Sequence, residues 1–159
     1  MTPRFRHHLY PVALAGAIAA STTLVGCDGF VPELGQQTQE SCSAADSDPS
    51  TDVKFGTDIV AGIFQGAAAC LPCHDPLGAD PEGYQEGGLD LTSYANLRSG
   101  GVNSASAIAI PGDPCHSWLW LKLTSSPPSG SQMPLDRGAM APAQVMQIHD
   151  WIAEGARDN

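Results

Sequence analysis

Residues 67 to 76 read AAACLPCHDP, which places two cysteines and a histidine, Cys70, Cys73 and His74, within five consecutive positions. Two thiols separated by two residues, with an imidazole directly after the second, can exchange electrons as a dithiol, bind a metal, or fasten a cofactor through carbon–sulfur bonds. A dithiol oxidoreductase wants this spacing after a strand in a βαβ setting. Here an alanine-rich helical run precedes it, and strand signals are weak along the whole chain. A structural zinc site needs four ligands. Cys42, Cys70, Cys73 and Cys115 could supply them, yet no second paired spacing occurs. A plain disulfide between Cys70 and Cys73 would leave His74 without a role.

The pattern that uses all three residues is C-x-x-C-H, the spacing of covalent haem attachment. Each thiol can add across one vinyl group of a haem, and His74 then lies beneath the iron as its proximal ligand. Covalent attachment of a single haem c suits a protein working outside the cytoplasm, where lost haem is not readily recovered. The sixth iron position calls for another donor, and a methionine thioether is the usual one for electron transfer. Met133 lies in the Pro/Gly/Ser-rich stretch SGSQMPLDRG, which has no helical pattern and can wrap round to the far face. Met140, just before the last expected helix, is the alternative, while Met146 lies on that helix and is expected to pack. His116 is a further candidate at a helix start. A surface position is nonetheless the expectation for it, and for His149, which lies beside Asp150 on the polar side of the last helix.

Several elements must position these groups. In DIVAGIFQGAAAC, Ile59, Ile63 and Phe64 fall at helical spacing, which predicts a helix from about Thr57 to Ala69 leading into the motif. Gly62 and Gly66 each weaken it by up to about 1 kcal/mol, which points to another helix crossing closely there. The middle of the chain is loop-rich, with one short helix expected from Ser93 to Arg98 after a Thr92 cap. In PGDPCHSWLWLKL, Asp113 is placed as a cap with Pro114 at the first helical position, and an apolar helix follows through Leu123. In APAQVMQIHDWIAEGA, Val145, Ile148, Trp151 and Ile152 form one stripe that ends at Gly155. The fold class expected is all-α.

The chain opens MTPRFRHHLYPVALAGAIAASTTLVGC. Arg4 and Arg6 precede an apolar run from about Val12 to Val25, the layout of a secretory signal and too short for a convincing membrane span. Leu24-Val25-Gly26-Cys27 resembles a bacterial lipobox. Cleavage before Cys27 would leave that residue to carry lipid chains, each buried methylene contributing about 0.8 kcal/mol. Residues 1–26 are thus the expected lipoprotein signal peptide. Residues 27–52, rich in Ser, Gln, Asp and Pro, are an expected disordered, lipid-anchored linker, and 53–159 the folded domain. Cys42 and Cys115 remain, and in an exported, oxidising setting such a pair is expected to form a disulfide. With 17 acidic against 7 basic residues and a net charge of −10, nucleic acid is not an expected partner. The acidic residues are spread along the chain, which favours solubility over docking as their role.

The pieces GIFQGAAACLPCH, GGLDLTSYANLRSGG, AIPGDPCHSWLWLKL, SQMP and AQVMQIHDWIAEGA occur in this order over about residues 55 to 157. Together they resemble class I c-type cytochromes, and more closely the planctomycete-type cytochrome c domains of exported bacterial proteins. The resemblance implies a small cytochrome c-like helical domain wrapped around one haem, in which the helix before the motif crosses the last helix near Gly62 and Phe64 against Trp151. It also implies His74 and Met133 as axial ligands, Met133 through its Met-Pro dipeptide with Pro134. The chain departs from the pattern at Cys115, where family members commonly carry another residue after GDP, so the disulfide expectation rests on cysteine arithmetic alone.

The function expected is single-electron transfer. No nucleophile–base pair, paired catalytic carboxylates or phosphate-binding loop stands out, so an electron carrier rather than an enzyme is expected. Its partners would be redox proteins of a respiratory or periplasmic chain, met at the cell envelope, with the membrane reached through lipid on Cys27. The rival from another class is a haem protein with an open sixth position, acting as a peroxidase-like enzyme or small-ligand sensor. A third is an accessory module of a larger complex, its haem mainly structural.

Overall fold

The computed structural model describes residues 42–66, 68 and 70–159. The expected signal peptide, Cys27 and the linker as far as residue 41 lie outside the described residues. Among the described residues the chain forms helices joined by turns and no strand, the all-α class predicted from its periodicity. No helix among them is long and apolar enough to cross a membrane.

The first helix runs Phe55–Phe64 rather than from Thr57 to Ala69, and it is wound as a π-helix. Ile59 N–H donates to Lys54 O at 3.2 Å and Gln65 N–H to Val60 O at 2.8 Å, each five residues back. The wider turn brings Phe55, Ile59, Ile63 and Phe64 to one buried face. Gly62 is exposed, and a Cβ there would meet only Thr57 O of its own helix, at 3.4 Å. The close crossing expected at Gly62 is therefore absent. Contact with the last helix runs through side chains instead: the Phe55 ring lies 5.3 Å from Trp151 and, edge-on, 5.3 Å from Tyr94. Full burial of aromatic side chains such as these contributes roughly 2–3 kcal/mol each, so Trp151 and its neighbours are the main clamp between the two ends of the domain.

The middle is more helical than its composition suggests. Glu82–Gly87 forms a helix closed by Gly88, at φ +64, whose N–H donates to Tyr84 O at 2.7 Å. The next helix, Tyr94–Ser99, is capped by Ser93 rather than Thr92: Ser93 Oγ accepts from Asn96 N–H, while the Thr92 hydroxyl donates to Asp90 at 2.6 Å. The helix expected from Pro114 to Leu123 breaks into a 3₁₀ turn, Pro114–His116, and a short helix, Trp118–Leu121. The cause is Ser117, fully buried, whose hydroxyl donates to Asp113 O at 2.7 Å and accepts from Ile110 N–H at 2.7 Å. Those bonds offer the backbone an alternative to a continuous helix. The last helix, Pro142–Ala153, buries Ile148, Trp151 and Ile152 as the stripe predicts.

Two expectations about that helix are corrected. Met146 is exposed at 38%, because the stripe turns it away from the core. His149 is buried at 3%, its Nδ1 paired with Asp150 at 2.9 Å and its Nε2 with Ser43 O at 2.7 Å. The partner on Ser43 shows why: residues 42–52, assigned to the disordered linker, lie against the domain. Cys42 is bonded to Cys115, and Ser47 donates from both N–H and hydroxyl to Asp150, at 3.1 and 2.6 Å. A sequence too polar to bury a face of its own is held by hydrogen bonds to the last helix and by a covalent link to the Pro114–His116 turn, both far along the chain.

Candidate cofactor site

The motif forms a single helical turn, Leu71–His74, with Pro72 in its first turn. Cys73 and His74 N–H both donate to Cys70 O, at 3.2 and 3.0 Å, and Cys70 N–H donates to Phe64 O at 2.9 Å. This ties the motif to the end of the first helix. Gly78 lets the following loop fold back: a Cβ there would lie 2.4 Å from Pro72 O, and Asp80 N–H donates to that same carbonyl at 3.0 Å.

The His74 ring is held by Leu89 O, 3.3 Å from Nδ1. A carbonyl only accepts, so Nδ1 carries the proton and Nε2 keeps its lone pair. Gly83 stands at that edge of the ring. A Cβ on it would come within 2.8 Å of Cε1 and 3.0 Å of Nε2, so the glycine leaves the approach to the donor nitrogen open. Burial, reinforced by the charge of Lys122, pushes the His74 pKa down against the raising effect of the Leu89 bond, and the ring is neutral at pH 7. Burial pushes the Cys70 thiol up to about 11, with Arg137 opposing weakly. A redox-active dithiol requires the reverse, a depressed pKa that supplies thiolate.

Cys70, Cys73, His74 and Met133 line one cleft of about 650 Å³. An adjoining space of about 520 Å³ shares Cys70, His74, Leu123 and Met133 with it and is otherwise walled by apolar side chains such as Phe64, Leu91, Ile108 and Trp118. Met133 is positioned from the Trp118–Leu121 helix: its N–H donates to Lys122 O at 2.7 Å, and the Gln132 side chain donates to Leu123 O at 2.7 Å. A cis peptide joins Met133 to Pro134. Met140 is buried and lines only the second space. His116 is away from both, 77% exposed and paired with Asp113. Cys42 and Cys115 are bonded to each other, Cys70 and Cys73 are free, and among the described residues no group of three or more His, Cys, Asp or Glu side chains gathers as a metal cage would need.

The residues fit a covalently held haem. Two thiols, a neutral imidazole with its donor nitrogen unobstructed and a thioether share one cleft, lined also by Leu123 and Leu135 and, at Glu82, Glu86 and Arg137, by charged residues. Several contributors carried little sequence signal. Gly83 lies in a stretch with loop composition, and the Leu89 carbonyl has no side-chain signature. Lys122, the single cation of WLWLKL, was the one visible clue.

An all-α domain with two thiols, an imidazole and a thioether on one cleft has the parts that a c-type cytochrome needs. Residues 70–135 match the family described as Planctomycete cytochrome C, and this part of the chain is a planctomycete-type cytochrome c domain, whose general activity is haem-based electron transfer. The match takes in the motif, Lys122 and Met133 and leaves the first and last helices outside it. No curated protein and no solved structure matches the chain.

Proposed function

We propose that the protein is a lipid-anchored, monohaem c-type cytochrome that passes single electrons between redox partners at the cell envelope. The observation that carries this is the convergence of Cys70, Cys73, His74 and Met133 on one cleft. Cys70 and Cys73 form the thioether links, and His74 offers Nε2 while Leu89 fixes its tautomer. Met133, on the loop that follows the Trp118–Leu121 helix, would supply the second protein ligand to the iron. A haem so held supplies a reversible one-electron couple, whose potential a thioether ligand raises. The apolar side chains of the adjoining space would limit water at the ligands, and with Met133 on the iron no position would remain open for substrate, which favours a carrier over an enzyme. Residues 1–26 direct export and Cys27 carries the lipid. The link to the domain is short, because the chain is already fastened at Cys42, and the bonded Cys42–Cys115 pair suits an oxidising compartment.

The test is the optical spectrum of the full chain, matured in a host that attaches c-type haem, in oxidised, reduced and pyridine-treated forms. Covalent haem with sharp low-spin reduced bands and a weak far-red band from thioether-bound ferric iron is the expected result. A covalent but high-spin haem would favour an open-site enzyme or sensor, and absence of haem would sink the proposal.

A further inference from the structure

Lys122 follows the Trp118–Leu121 helix directly, its own N–H donating to Trp118 O at 2.9 Å. Three of its contacts reach the loop that bears Met133. Its carbonyl accepts from Met133 N–H at 2.7 Å. Its ammonium donates to Ser129 O at 2.8 Å and to Ser131 O. The backbone of residues 129, 131 and 133 is thus gathered on one side chain and its own carbonyl. Gly130, at φ +62, lets the chain reverse between the two accepting carbonyls, with its Cβ position 3.6 Å from Nζ. Little in the sequence itself orders this loop: TSSPPSGSQMP has no helix and no apolar stripe, and its other ties are at its two ends, where Thr124 donates from N–H and hydroxyl to Leu121 O at 3.2 and 2.7 Å and the Gln132 side chain donates to Leu123 O. Lys122 also lines the adjoining space together with His74 and Met133.

We propose that Lys122 is the positioning residue of the sixth-ligand loop, its ammonium holding the Ser129 and Ser131 carbonyls so that Met133 stays at the cleft. This rests on Met133 being the sixth ligand. Hydrogen bonds from a charged donor are the stronger kind, and three donors on one ammonium can serve several carbonyls at once. Burial lowers the Lys122 pKa, as expected for an ammonium drawn partly out of water. Without it the loop retains the Met133 N–H and Gln132 bonds, so the methionine remains but is easier to displace.

The experiment uses the haem-loaded full chain in detergent, with Lys122→Met, which keeps an apolar stem and removes the ammonium, and Lys122→Gln, which keeps one amide donor. Imidazole is titrated into the ferric protein while the far-red thioether band is followed, and global unfolding is measured separately by circular dichroism. Lys122→Met is expected to bind imidazole roughly tenfold more tightly, because the closed loop it competes with is less populated, while the unfolding midpoint moves little. Lys122→Gln should shift the affinity less, in the same direction, and decides the matter alone if Lys122→Met does not retain haem. Wild-type protein without the band would overturn the Met133 assignment and this proposal with it. Wild-type protein with the band, and variants that bind imidazole no more tightly, would overturn the role of Lys122 alone, whatever happens to global stability.

Discussion

Replacing Gly83 by alanine sets two forces against each other at the edge of the His74 ring. Gly83 lies inside the Glu82–Gly87 helix and is not among the glycines with positive φ. Alanine therefore suits its backbone and by helix propensity alone would stabilise the protein by about 0.5–1 kcal/mol. The new Cβ, however, would stand 2.8 Å from His74 Cε1, 3.0 Å from Nε2 and 3.1 Å from Cys73 O, where ordinary contacts between carbon atoms are roughly 3.5–4.0 Å. The ring cannot retreat freely, because Nδ1 is tied to Leu89 O, and the Cys73 carbonyl belongs to the motif helix itself. Overpacking of this kind costs roughly 1–3 kcal/mol, and drawing the ring off Leu89 a further 0.5–1.5 kcal/mol or so. The steric effect wins, and we expect a net loss of about 0.5–4 kcal/mol, centred near 2. The assay is denaturant unfolding of the haem-loaded protein, read beside its visible spectrum, in which displacement of the imidazole should raise the high-spin fraction. A Gly83→Ala protein that is more stable than wild type, with unchanged bands, would refute the placement of Gly83 against the ligand.

Met133→Ala should abolish the far-red ferric band and lower the reduction potential, since the ferrous-favouring thioether is gone; an unchanged spectrum would point to an open site instead. Replacing Cys42 and Cys115 together by serine removes a link across a sequence separation of 73 residues, and chain entropy sets the loss near 4 kcal/mol, measurable by denaturant titration. Burial would raise the Asp150 pKa, but hydrogen bonds from Ser47 and His149 outweigh it and hold the carboxyl below the usual carboxylate range. Its stabilisation is accordingly present above about pH 4 and lost as pH falls through the depressed value. Asp150→Asn should cost roughly 1–3 kcal/mol at pH 7 and flatten the acid limb of the stability curve, which unfolding measured from pH 3 to pH 7 would show.

The parts legible in the sequence are those that depend on neighbours along the chain. Cys70, Cys73 and His74 fall within one helical turn whatever surrounds them, so their spacing alone announces the chemistry. The stripe of Ile148, Trp151 and Ile152 likewise needs only helical periodicity to face inward. Local patterns failed wherever a distant partner intervened. The first helix took π winding so that Phe55, Ile59 and Phe64 could share one buried face. A buried serine split the Pro114 helix by bonding backbone on both sides of it. His149 looked like a surface residue until the strap bearing Ser43 covered it, and that strap looked disordered because its partners, Asp150 and Cys115, lie far along the chain.

At the candidate site the same division holds. The sequence by itself determined that two thiols and an imidazole stand together and that a methionine in a proline-rich loop was available. The tertiary structure decided which sulfur shares the cleft with both thiols and the imidazole, admitting Met133 to both spaces and Met140 to one. It also supplied the Leu89 carbonyl that sets the His74 tautomer and the absent Gly83 side chain that leaves Nε2 accessible. The reason is physical: a motif encodes distances within a turn, whereas a tautomer, a desolvated thiol or a held loop depends on atoms that only folding brings within a few ångströms.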